Sequence, residues 1–136
     1  MMKITHQWLK SHNADETMLE FVKKENLIGL ESEHYVKRLI ELNKNIYADW
    51  TVRRILFDSP LLWIWNKYAS AAQSASDTAI KEYNAVYTNR KAHYCGPDAD
   101  RLAHYDADSA YSTEYYGIIA RKGLEILQDK YIYNLY

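Results

Sequence analysis

The feature that most constrains this chain is the run of apolar and small residues after Pro60. Leu61, Trp65, Tyr68, Ala72, Ala75, Ala79 and Val86 follow one another in steps of three and four, with one step of seven. That spacing returns to one face of an α-helix turn after turn, and nothing interrupts it before Cys95-Gly96-Pro97. Alanine at the centre of such a face lets a second helix approach near the lower end of the 8–10 Å interaxial range. The partner is at hand, because Tyr116, Ala120, Leu124, Leu127 and Tyr131 repeat at helical spacing beyond the break. The predicted core of the fold is therefore a long antiparallel helical hairpin closed at Cys95-Gly96-Pro97.

The first 60 residues read as shorter helices. Thr5 is placed to cap one that holds Trp8 and Leu9, and Asp15 to cap another in which Met18, Phe21 and Val22 share a face. Gly29 is expected to end that region, and Ser32, between Glu31 and Glu33, to open a third helix carrying a Tyr35, Leu39, Leu42, Ile46 stripe. Asn43-Lys44-Asn45 interrupts the pattern before Tyr47–Phe57. Ser59-Pro60 then marks a boundary, since proline suits the first turn of a helix and serine its cap. No alternating segment rich in β-branched residues occurs. The expectation is an all-α bundle of five or six helices in one domain over residues 1–136.

Composition excludes several function classes. The net charge is −1, with 17 basic and 18 acidic residues. A general nucleic-acid binder needs a basic surplus to displace counterions, so direct nucleic-acid binding is not expected. The lone cysteine, Cys95, has no internal disulfide partner, which points to a reducing compartment. No apolar signal core opens the chain, and the longest apolar run, Leu61–Trp65, is far short of a membrane span. The expected location is the cytoplasm, with no membrane association.

Both ends of the chain carry a resemblance. "KITHQWLKSHNADETMLEF", with Ile4, Thr5, Trp8, Leu9, Asn13, Ala14 and Phe21, is similar to the opening of a set of small bacteriophage and prophage helical proteins. Asp15 stands where that family usually has cysteine, and Met18 where it usually has glycine. "ADWTVRRILF" resembles the next block of the family, and "IIARKGLEIL" its closing segment. The alanine-rich helices also resemble the tails of immunity proteins. The resemblance brings no active-site residues. It implies an accessory protein, of the host cytoplasm if phage-encoded, that binds a host protein or complex, counter-defence being one such role. The alternative is an immunity-type or antitoxin-like binder that neutralises a cognate toxin.

Chemistry-bearing residues concentrate in "HYCGPDADRLAHYDAD". His93, Cys95, His104 and Asp108 include metal-ligand types, but structural zinc sites use paired Cys/His spacings and only one cysteine is present. The Asp-Ala-Asp triplets lack the glycine of a calcium loop. His93 and Cys95 have no third group to orient a nucleophile, and no phosphate loop, nucleophile elbow or zinc-protease motif occurs. The expectation is therefore no cofactor, no metal and no catalysis.

Tyrosine is the remaining signal. Ten of the 13 tyrosines follow residue 82. Tyr83, Tyr87 and Tyr94 form one helical stripe, and Tyr111 and Tyr115 share a face distinct from that of Tyr116. Burying all their hydroxyls would require many buried partners, and tyrosine is enriched at protein interfaces. Tyr83, Tyr87, Tyr111 and Tyr115 are therefore the candidate partner-binding residues, with Tyr116 and Tyr131 serving the fold. Asp106 and Asp108 join them, from an Asp98–Glu114 run with five acids and one base. The same surface would serve a homo-oligomer formed through the last two helices.

Overall fold

A computed structural model describes residues 2–58 and 62–129 of the chain. Six helices occur among them: α1 (His6–Ser11), α2 (Glu16–Lys24), α3 (Ser32–Glu41), α4 (Asn45–Phe57), α5 (Leu62–His93) and α6 (Ala99–Gln128). The only β-type pairing among the described residues is an isolated bridge between Lys3 and Glu31. The fold is all-α and ends in the α5–α6 hairpin. Ser59, Pro60, Leu61 and Tyr131, read above as a boundary and as members of two stripes, lie outside the described residues. No described helix is long and apolar enough to cross a membrane.

Contacts divide the chain into two compact units. One comprises residues 1–68 and 120–136, the other residues 69–119, so α5 and α6 each contribute to both.

In the first unit the expected caps form. The Trp8 amide donates to Thr5 Oγ1 at 3.1 Å, and the Met18 amide to Asp15 Oδ1 at 2.7 Å, each satisfying a donor that the first helical turn leaves orphaned. The helix ends depart from expectation. Asn13, Asn26 and Asn43 adopt φ values of 62°, 58° and 61°, the left-handed region that asparagine tolerates better than most residues. Around each, two carbonyls of the preceding turn are capped in the same pattern. Ala14 donates to Leu9 O and Asn13 to Lys10 O; Leu27 to Val22 O and Asn26 to Lys23 O; Lys44 to Leu39 O and Asn43 to Ile40 O. These are three Schellman motifs with asparagine where glycine is usual. Helix α2 consequently ends at Lys24, ahead of Gly29, which instead supports a tight turn at φ 94°. Asn43 likewise resets the helical phase, so Ile46 leaves the α3 stripe and is 56% exposed on α4.

The core of this unit is built from branched aliphatics. Leu9, Val22 and Leu39, the three residues whose carbonyls close those motifs, are fully buried with Ile4, Val52 and Leu127. Helix α6 approaches α4 at Gly123, where an added Cβ would lie 2.9 Å from Val52 Cγ1. Asp49 is buried and accepts a hydrogen bond from the Tyr68 hydroxyl, with Arg53 Nη1 3.9 Å from its other oxygen.

The second unit has a core made mostly of alanine, with Ile119 the one large side chain fully buried in it among the described residues. Ala75 and Ala79 on α5 are fully buried, and so are Ala103 and Ala107 on α6. Ala72 and Val86, placed in the same seam by the sequence, are half-buried.

Candidate interaction surface on the hairpin

With alanines at the seam, the side chains beside it reach across from one helix to the other. Three cross-helix bonds share one register. Ser76 Oγ and Tyr111 OH are 3.0 Å apart, Tyr83 OH is bonded to His104 Nδ1, and Tyr87 OH donates to Asp100 Oδ1. Steps of seven and four along α5 are answered by equal steps backward along α6, as antiparallel packing requires.

The lower two rungs form one network. Asp100 Oδ2 lies 3.6 Å from His104 Nε2, and Lys91 Nζ lies 3.4 Å from Asp100 Oδ1 while donating to Tyr87 OH at 3.2 Å. The rings pack as well as bond. Tyr87 and His104 centroids are 4.4 Å apart, and Tyr83 stacks on Tyr87 at 6.3 Å and 12°. The hydrogen bond from Tyr87, aided by Lys91, holds the Asp100 carboxyl below its ordinary range, and the bonds to Tyr87 and Asp100 in turn raise the Lys91 ammonium. Partial burial, then the charge of Asp108, pushes the Tyr83 phenol up. Nearer the connection, Tyr94 donates to Asp106, which also pairs with Arg90 at 3.3 Å. That bond to the carboxylate raises the Tyr94 phenol.

The second tyrosine group lies further along α6. Tyr111 and Tyr115 stack almost parallel, at 6.0 Å and 4°, and Tyr116 meets Tyr115 edge to face at 5.1 Å. All three are half-buried. Tyr116 is therefore no more buried in class than the two tyrosines it packs beside.

The structure therefore brings Tyr83, Tyr87, Tyr111 and Asp106 into cross-helix bonds, Tyr115 into a stack, and leaves Asp108 exposed beside Tyr83. Sequence reasoning missed Asp100 and Lys91 as partners and considered His104 only as a metal ligand. The signal for them was the register, which follows once the connection length and the alanine seam of α6 are known. His93 Nδ1 turns back to its own helix, 2.7 Å from Asn89 O, and Cys95 is exposed. Among the described residues no three His, Cys, Asp or Glu side chains gather to hold a metal ion.

No family model, curated protein or solved structure matches this chain.

Proposed function

We propose that this chain is a non-catalytic binding protein, an accessory factor of bacteriophage type, that engages a host protein or complex through the tyrosine-bearing face of its α5–α6 hairpin. The observation that carries this reading is the fixed orientation of that face. Tyr83, Tyr87 and Tyr111 have their hydroxyls tied across the hairpin, and Tyr111 and Tyr115 are stacked, so half-exposed rings are held in place before any partner arrives. Rigid aromatic anchors lose little entropy on binding, which is what makes tyrosine effective at interface centres. Asp108, exposed beside Tyr83, gives that face an acidic edge that favours a partner with basic residues at its rim.

Tyr111→Ala/Tyr115→Ala is the test. The double variant should keep its far-UV spectrum and its cooperative melt, yet bind the partner captured by the parent protein at least tenfold more weakly, about 1.4 kcal/mol or more. Sedimentation of the parent and the variant extends the test to self-association. Equal binding by both proteins removes the tyrosine face from the function.

A further inference from the structure

A second surface of the hairpin is lined by none of Tyr83, Tyr87, Tyr111 and Tyr115. Glu82, Val86 and Arg90, at steps of four on α5, flank a groove of about 450 Å3 with Glu114, Ala110 and Asp106, at steps of four backward on α6. Each step advances about 6 Å along a helix, so the groove presents three different chemistries over about 12 Å. At one end Arg90 and Asp106 neutralise each other at 3.3 Å. In the middle Val86 and Ala110 give an apolar floor. At the other end stand two carboxylates, Glu82 and Glu114, neither with an ion-pair partner among the described residues. The wall beside the Arg90–Asp106 end is Tyr105, 73% exposed and the most exposed tyrosine of the hairpin among the described residues.

Two carboxylates on one rung repel each other, and a cation seated between them turns that repulsion into attraction. An anion meets the opposite balance, since the single positive charge in the groove is already paired. The apolar floor suits the methylene stem of a lysine or arginine, whose charged head then reaches the carboxylate end. Two turns away Tyr105 offers an uncovered ring to an apolar side chain. A partner that supplies a cation and an apolar residue about 10 Å apart on one face is an amphipathic helix with the two at i and i+7.

From this charge complementarity we infer that the groove is a docking site for a basic amphipathic helix of a partner protein, with a Lys or Arg cation between Glu82 and Glu114 and an apolar residue against Tyr105. The inference does not depend on the tyrosine face.

The probe is a fluorescein-labelled 18-residue helical peptide of Leu, Ala and Lys, with a control in which every Lys is Glu. Anisotropy titration should show saturable binding of the Lys peptide, weakened by 0.5 M salt, and none of the Glu peptide. Glu82→Gln/Glu114→Gln should weaken binding at least tenfold, and Tyr105→Ala at least threefold. Tyr111→Ala/Tyr115→Ala should leave it unchanged, which separates this site from the tyrosine face. Methyl NMR of the unaltered protein should show the peptide perturbing Val86 and Ala110. Equal binding of the Lys and Glu peptides, undiminished binding by the glutamine variant, or methyl shifts confined to residues outside the groove would each overturn the proposal.

Discussion

Tyr68 donates to Asp49 in one unit of the molecule, and Tyr87 donates to Asp100 in the other. The chemical pair is the same and the effect on the carboxyl is opposite. Asp49 is 1% exposed, and burial raises it above its ordinary value despite the bond from Tyr68 and the nearby Arg53. Asp100 is exposed, and there the bond from Tyr87 prevails and lowers it. A hydrogen bond to a carboxylate thus adds to the fold in different ways. In the first unit it offsets a desolvation cost that would otherwise stand uncompensated. In the hairpin it orients groups that water would serve almost as well. The cores differ in parallel: branched aliphatics fill one, and alanine brings two helices together in the other.

The largest expected effects come from exchanging the two core types. Leu39→Ala opens a cavity beneath the Schellman turn at Asn43 and should cost about 2–5 kcal/mol. The mirror change, Ala79→Leu, inserts bulk where the helices touch and should cost about 1–3 kcal/mol. Thermal unfolding measures both, and an unchanged melt for Ala79→Leu would mean that the alanine seam is not a close contact.

The two tyrosine–aspartate pairs should separate next. Tyr68→Phe leaves Asp49 buried with one acceptor unserved and should cost about 1–3 kcal/mol. Tyr87→Phe should lower the melting temperature far less, because the freed Asp100 carboxylate is open to water. Equal losses from the two substitutions would refute the contrast drawn here.

The smallest effect lies in pH dependence, and its signs are opposed. Asp100 is lowered in the folded state, so its contribution is present above the ordinary carboxylate value of about 3.9 and is lost as pH falls through the lower folded value. Asp49 is raised, so its contribution to stability is greatest below that ordinary value and declines as pH rises toward the folded one. Carboxyl-carbon NMR titration should place Asp49 above and Asp100 below about 3.9. Asp49→Asn and Asp100→Asn should then alter the acid limb of the stability curve in opposite directions.

Much of this architecture was legible in the residues, unevenly. Thr5 and Asp15 announce helix starts because a short polar side chain before an apolar pattern has one efficient use. The helix ends were hidden, since Asn13, Asn26 and Asn43 do the work of glycine and look like ordinary polar surface. The alanine seam of α5 shows in "ASAAQSASDTA". Its counterpart at Ala103 and Ala107 is masked by the aspartates and tyrosines around it, which also drew attention away from the groove. The tyrosine stripes were visible, but Asp100, His104 and Lys91 are tied to them only through register. Register depends on how the chain turns between α5 and α6, where Gly96 adopts φ 90°.

The first unit is discontinuous in sequence, and this bears on how the protein is made. Its helices α1 to α4 leave the ribosome early, yet Ala120, Ile126 and Leu127, all buried in that unit, are translated only after the whole of the second unit. The hairpin joins residues close in sequence, and contacts of that kind form fast. During synthesis at roughly 5–20 residues per second, the N-terminal helices wait several seconds with an open apolar face while the hairpin assembles. The last turns of α6 then arrive already carried on a formed helix, and Gly123 seats against Val52 to close the core. The nascent chain is most exposed to aggregation and to chaperones in that interval, so a premature stop near residue 119 should yield a protein with a finished second unit and an unfinished first one.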